Sequence, residues 1–181
     1  MAPDDGFDPG RILRTLEQHG VEYVIVGGMG ARAHGAERPT MDIDCVPDSA
    51  GANLERLGDA LRALGARLRV GGMSDDEARQ LQVQLDGTTL ASFGSSTWMT
   101  DAGPIDILRE LRDRDGGEVP FGSLRARSVD QDIDGVLVHV AGLDDIIAAK
   151  EHAGREKDRE ALPELRALRD GPSPGDEPQV S

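Results

Sequence analysis

The sequence predicts an α/β protein of the α+β kind, and three observations predict it. Segments of strand length with recurring apolar residues lie at 22–26, 40–46 and 136–140. Helically spaced apolar residues recur at 11–19, 52–64 and 143–153. Glycine and proline punctuate the chain between them, without a regular strand–helix–strand alternation. The 181 residues are enough for one domain with a core,. Only 3% of them are aromatic, so aliphatic side chains must fill that core.

Residues 11–19 read as an amphipathic helix, with Ile12, Leu13 and Leu16 on one face and Gly20 ending it,. Residues 22–26 are a strand that runs into Gly27-Gly28. A short helix follows at 29–34, closed by Gly35 and Pro39, and 40–46 is a second strand carrying Asp42 and Asp44. Leu54, Leu57, Leu61 and Leu64 share a face of a helix over 52–64,. Residues 67–70 read as a strand and 75–80 as one or two helical turns. Segments 81–85 and 88–93 read as a hairpin joined through Asp86-Gly87,.

Further along, 104–108 is a short strand centred on Asp106. Segments 124–129 and 136–140 read as strands, with Asp134-Gly135 at the turn. Helices are expected at 143–153 and 157–169, separated by Gly154, with Pro163 in or near the first turns of the second. Residues 1–9 and the Pro-, Gly- and acid-rich stretch 171–181 read as disordered, leaving one folded domain over 10–170,.

The net charge is −14, which does not steer the chain to nucleic acid, and no DNA partner is expected,. Cys45 is the single cysteine, so an intramolecular disulfide and a cysteine-based zinc cluster are excluded,. No apolar run approaches the ~18–20 residues of a membrane span, and the acidic first residues lack a signal-peptide pattern. A cytoplasmic protein without a membrane partner is the expectation. Of twenty basic residues only Lys150 and Lys157 are lysines, which marks two neighbouring places where a flexible ammonium is retained.

The chemistry concentrates in Val26-Gly27-Gly28, a thirteen-residue spacer, then Asp42-Ile43-Asp44. Two glycines after a strand allow a tight turn and a close approach of backbone to ligand. The helix that opens at Met29 aims its first N–H groups at the same place, which suits phosphate. Asp42 and Asp44, two apart on a strand, leave the same face. Paired carboxylates with hard oxygens suit Mg²⁺. Asp106, flanked by Ile105 and Ile107, is an expensive charge in an apolar strand unless paired; beside the second strand it completes a three-carboxylate, two-metal site. Gly28-x-Gly30-x-x-Ala33 also fits a dinucleotide-binding turn. The early helix stop at Gly35 and Pro39 and the acid pair within a strand argue against that reading.

On these residues the sequence resembles the DNA polymerase β-like nucleotidyltransferase superfamily. The signature is a hydrophobic residue, Gly-Gly or Gly-Ser, a spacer, then Asp-hydrophobic-Asp with a later acid on a strand. Val26-Gly27-Gly28, His34-Gly35, Arg38, Thr40, Asp42-Ile43-Asp44 and the segment Leu143-Asp144-Asp145-Ile146-Ile147-Ala148-Ala149-Lys150, with Gly154-Arg155 and Lys157-Asp158, look like small stand-alone bacterial members. Those include AbiEii- and MenT-type toxins. Met29 stands where such toxins often carry Ser or Thr.

The resemblance implies a small mixed, mostly antiparallel sheet flanked by helices, and transfer of NMP from an NTP to an acceptor hydroxyl. It implies Mg²⁺ as cofactor, two ions, with Mn²⁺ an acceptable substitute. Asp42, Asp44 and Asp106 would bind metal; Gly27, Gly28, the Met29 amide, Arg38 and Thr40 would face the phosphates. Lys150 would neutralise the triphosphate, and Asp158 takes the place of the acid that follows that lysine. The implied acceptor is the tRNA 3′ end, in a toxin with a cognate antitoxin. A small molecule such as an antibiotic, a protein acceptor, or a non-catalytic NTP-binding partner are the alternatives.

Overall fold

The computed structural model describes residues 6–171. Residues 1–5, and 172–181 of the expected disordered tail, lie outside the described residues. Residues 6–9 are placed: Asp8 caps the first helix, α1 (Pro9–Gln18), its Oδ1 accepting from the Arg11 amide at 2.8 Å. Pro9 opens that helix, where a missing N–H loses nothing. The chain continues through β1 (Tyr23–Val26), α2 (Gly27–Ala33), β2 (Ile43–Pro47), α3 (Gly51–Ala63), β3 (Arg67–Arg69), α4 (Asp75–Gln80) and α5 (Gly87–Ser92). Then come β4 (Ser95–Thr100), β5 (Gly103–Leu108), β6 (Glu110–Arg112), β7 (Glu118–Pro120), α6 (Phe121–Arg127), β8 (Val129–Ile133), β9 (Val136–Val140), α7 (Leu143–Ala153) and α8 (Glu156–Asp170).

Seven strands form one mixed sheet in the order β3-β4-β5-β2-β1-β9-β8, and β6-β7 form a separate ribbon. In the large sheet β1·β9 and β2·β5 are parallel, and the other four pairings are antiparallel. Strand alternation divides the interior in two. Tyr23, Ile25, Ile43, Cys45, Ile105, Ile107 and Trp98 join α1 and α3 on one face. Val24, Val26 and Val46 join α6, α7 and α8 on the other. Leu57 and Leu61 of α3 are fully buried, each contributing about 1.5–3 kcal/mol of apolar transfer,.

Four features depart from the sequence-based expectation. Asp86 does not turn a hairpin; it is the N-cap of α5, its Oδ1 accepting from the Thr89 amide at 2.7 Å. An Asp two or three residues ahead of free amides caps a helix as readily as it starts a turn. Residues 121–127 are helical rather than extended: Leu124 is buried, and the strand of the hairpin begins only at Val129. The expected Asp134-Gly135 turn is present, with φ of 50° and 82°, the left-handed pair of a two-residue hairpin. Strand β4, absent from the sequence reading, is polar because Ser95 and Thr97 face away from the core. Pro163 lies inside α8 rather than in its first turns, where it withholds one backbone hydrogen bond from the exposed side,.

Candidate active site

The site lies on the sheet face that carries Val26, because the ladder puts three residues side by side there. Val26 pairs with Asp44 across β1·β2, and Asp44 pairs with Asp106 across β2·β5. Directly opposed residues share a face. Strand β2 begins at Ile43, so Asp42 sits on the bend leading into it rather than in the strand. One carboxylate oxygen from each of Asp42, Asp44 and Asp106 lies within 4.8 Å of the others. Asp42 is held by the Thr40 hydroxyl, which donates to its Oδ1 at 2.9 Å.

Gly27 is required at the mouth of this cluster. Its φ is +61°, and a Cβ there would stand 2.1 Å from Asp44 Oδ2. Gly28 leaves room for Thr40 in the same way; a Cβ would meet its Oγ1 at 2.8 Å. Gly30, one turn on, lets α7 close over α2, since a Cβ would press on Ile146 Cδ1 at 3.0 Å. That contact carries Lys150 over the carboxylates. Its Nζ lies 3.4 Å from Asp158 Oδ1, and Arg155 Nε donates to Asp158 Oδ2 at 2.7 Å. Asp158 is only 1% exposed. Burial alone would raise its carboxyl pKa; the Arg155 hydrogen bond and charge, with Lys150, outweigh that and hold it below the usual range,.

The three carboxylates are electrostatically unsatisfied as they stand. Asp44 is pushed up to about 7, by burial first and then by the charges of Asp42 and Asp106, while Lys150 pulls the other way. Asp106 Oδ1 is buried and has no hydrogen-bond partner. A buried orphan acceptor is rare unless something else binds it. Clustered hard oxygens, one of them orphaned, fit a divalent cation of the Mg²⁺ class.

A cleft of about 340 Å³ opens onto the cluster. Gly27, Gly28, Arg38, Thr40, Asp42, Asp44, Asp106, Lys150 and Asp158 all line it. Met29 does not: its side chain is buried in the core, leaving only its amide near the turn. Arg38 pairs with Glu160 at 2.9 Å, and Glu164 Oε1 accepts from the Glu37 amide at 2.7 Å, so α8 anchors the loop before β2. His34 Nε2 bonds the Ala141 carbonyl at 2.8 Å and serves the fold. Trp98 is core, edge-on to Phe93 at 6.3 Å. Sequence reasoning gave no role to Arg155. The signal was available: an Arg three residues before an Asp at a helix start.

No family model matches the sequence, and no curated protein matches it. Solved structures do. The chain is similar to the antibiotic-resistance factor ANT(2″)-Ia in its solution structure, with 16% identity and a TM-score of 0.56 over 90% of this chain and 82% of that one. It is similar to the lincosamide antibiotic adenylyltransferase LnuA in its lincomycin-bound crystal structure, with 16% identity and a TM-score of 0.56 over 90% of this chain and 98% of that one. The crystal structure of ANT(2″)-Ia in complex with adenylyl-2″-tobramycin matches with a TM-score of 0.55 at 16% identity, over 90% of this chain and 87% of that one. At this identity the likeness is one of architecture, and over nine-tenths of its length the chain has the fold of these nucleotidyltransferases.

Proposed function

We propose that the chain is a divalent-metal-dependent nucleotidyltransferase that moves a nucleoside monophosphate from an NTP to an acceptor hydroxyl. The observation that carries this reading is the trio Asp42, Asp44 and Asp106, with an orphaned buried oxygen, at the mouth of a glycine turn. These three would hold the metal, Mg²⁺ or Mn²⁺. When bound, it neutralises the triphosphate and acidifies the acceptor hydroxyl.

Gly27 and Gly28 admit the phosphates close to the backbone. Lys150, steadied by Asp158, offers an ammonium that follows the separating phosphates, and Arg38 borders the same cleft. The acceptor oxygen bonds to the α-phosphorus as the bond from that phosphorus to the β-bridging oxygen breaks. The acceptor proton passes to Asp106, and pyrophosphate leaves with the bridging electrons.

For the acceptor we adopt a small hydroxylated molecule. The fold neighbours carry lincomycin and adenylyl-tobramycin, and a net charge of −14 opposes a polyanionic partner,. The second reading, a toxin acting on the tRNA 3′ end under a cognate antitoxin, draws on the likeness of residues 143–158 to toxin members. Calorimetry with each of the four NTPs, with and without Mg²⁺, tests the site. Mg²⁺-dependent binding that disappears in Asp42→Ala and Asp44→Ala supports it; absence of NTP binding sinks it. Label transfer from the bound NTP to total tRNA would move the acceptor to RNA.

A further inference from the structure

Asp106 borders two hollows. One is the donor cleft described above. The other, of about 380 Å³, lies toward the β3 edge and is lined in part by Arg69, Phe93, Ser95, Thr97 and Leu108.

The ladder explains why these residues meet. Arg69 pairs with Thr97 across β3·β4, Thr97 with Asp106 across β4·β5, and Asp106 with Asp44 across β2·β5. Four residues on one face of four adjacent strands therefore form a straight row. It runs from the metal-binding pair outward to a guanidinium. Strands stand ≈ 4.8 Å apart, so Arg69 is rooted about 10 Å from Asp106. Ser95 pairs with Leu108 one step along the same face. Ser96 faces the core side, where its hydroxyl accepts from Trp98 Nε1 at 2.9 Å.

We propose that this second hollow is the acceptor subsite, and that it takes a small hydroxylated molecule bearing an anionic group rather than a polyamine. The inference rests on the nucleotidyl-transfer reading above. An acceptor seated here puts its reacting hydroxyl beside Asp106, which lines both this hollow and the donor cleft. Thr97 and Ser95 offer hydroxyls along its length, and Leu108 and Phe93 offer apolar contact. Its anionic end meets Arg69, whose planar fork matches a carboxylate or phosphate. Among the described residues, a polyamine would find Asp106 as the one carboxylate lining this hollow. Its remaining amines would lose water beside a like charge without compensation.

The test titrates the Mg²⁺–NTP-loaded protein and follows the Ser95 and Thr97 amides by NMR. Three probes are used separately: ribose 5-phosphate, tobramycin, and a short RNA with a free 3′ hydroxyl. The expected result is saturable shifts with ribose 5-phosphate, weakened about tenfold or more by Arg69→Glu, with Arg69→Lys intermediate. Saturation by tobramycin, saturation by the RNA alone, no response to ribose 5-phosphate, or indifference to Arg69→Glu would each overturn the proposal. Mg²⁺–NTP affinity measured by calorimetry on the same samples separates the two failures. Its loss in the wild type tells against nucleotidyl transfer; intact NTP binding with unmoved Ser95 and Thr97 tells against the subsite alone. An unchanged thermal midpoint for Arg69→Glu confirms that the variant is folded.

Discussion

Asp44 and Asp106 stand directly opposite each other in the parallel β2·β5 pair, two carboxylates side by side on one face of the sheet. The charges of Lys150 and Arg155 act on them, but both cations are paired with Asp158. The fold therefore brings like charges together and leaves them unresolved, and that arrangement governs how the protein responds to pH, to metal and to substitution.

The first consequence is a pH dependence. Burial, with the charges of Asp42 and Asp106, pushes Asp44 up from its ordinary 3.8 to about 7 in the fold. A carboxyl whose folded pKa exceeds its unfolded one binds more protons when folded. Its contribution is full below about pH 4 and is lost as pH rises through about 7. In metal-free buffer, wild type minus Asp44→Asn stability should fall over that window, by on the order of 2 kcal/mol once coupling is allowed for. Mg²⁺ should reverse the trend, raising the wild-type midpoint most above about pH 7, where Asp44 is ionised. Thermal melts from pH 4 to 8, with EDTA and with Mg²⁺, measure both. A flat difference between wild type and Asp44→Asn, with no Mg²⁺ effect, would contradict the picture.

Gly27→Ala isolates the turn. The substitution forces a left-handed residue to carry a Cβ and drives that Cβ into Asp44 Oδ2. The backbone part costs roughly 1–2 kcal/mol, and the displaced carboxylate adds to it. NTP affinity should drop by about tenfold or more, because the metal-binding trio is disturbed. Gly122→Ala is the control. Nothing lies within 4 Å of a Cβ there and the residue is helical, so stability should hold or rise by about 0.5 kcal/mol. Urea titration of both variants, with NTP calorimetry on Gly27→Ala, checks the contrast.

Much of the candidate site was legible because its parts are local in sequence. Gly27, Gly28, Asp42 and Asp44 fall within one strand–turn–bend unit whose spacing states the chemistry. Asp106 stood out as a lone acid between Ile105 and Ile107. What was not legible is non-local or sign-reversed. Nothing in residues 95–100 reads as a strand, since Ser95 and Thr97 face the site and only Trp98 and Thr100 are buried. The pairing of β5 with β2 rather than with a sequence neighbour is set by the whole sheet. Asp86-Gly87 carries turn residues that the packing of Gly87 against Glu55 of α3 diverts into a helix start. Asp158 was placed beside Lys150 by the resemblance alone; its burial under Lys150 and Arg155 appears only once α7 and α8 fold back on each other.

Asn53 provides a test of the scaffold independent of the site. It is 1% exposed. Its side-chain oxygen accepts from the Glu22 amide at 2.8 Å, and its nitrogen donates to the Glu22 and Asp48 carbonyls, each at 2.9 Å. One side chain thus ties α3 to both strands at one end of the β1·β2 pair, where Tyr23 faces Pro47. Asn53→Ala removes three part-buried hydrogen bonds; the Glu22 carbonyl keeps the Asp48 amide at 3.0 Å, while the Glu22 amide and Asp48 carbonyl lose this partner, so the loss should be about 1–3 kcal/mol. Mg²⁺–NTP affinity of the folded fraction should be unchanged, since no site residue moves. Urea unfolding followed by calorimetry at low temperature reads both; a loss of affinity without a loss of stability would contradict this division of labour.

The pair Lys150 and Asp158 should separate a positioning role from a direct one. Both line the cleft, but Asp158 is 1% exposed and paired with Lys150 and Arg155, whereas the Lys150 side chain is 17% exposed. Asp158→Asn leaves two cations without their shared counter-charge. Arg155 is solvent-exposed and can rehydrate, which limits the loss of stability to about 1–3 kcal/mol. Lys150→Ala removes the ammonium itself, relieves little strain, and leaves Asp158 to Arg155. Stability should therefore fall more in Asp158→Asn, while NTP affinity falls more in Lys150→Ala, by about tenfold or more. Lys150→Arg keeps the charge but exchanges a compact ammonium for a planar fork. It should restore ground-state NTP affinity better than it restores transfer rate, because the phosphates move apart during the reaction. Equal loss of affinity in Asp158→Asn and Lys150→Ala at saturating folded fraction would show that Asp158 acts on the nucleotide directly.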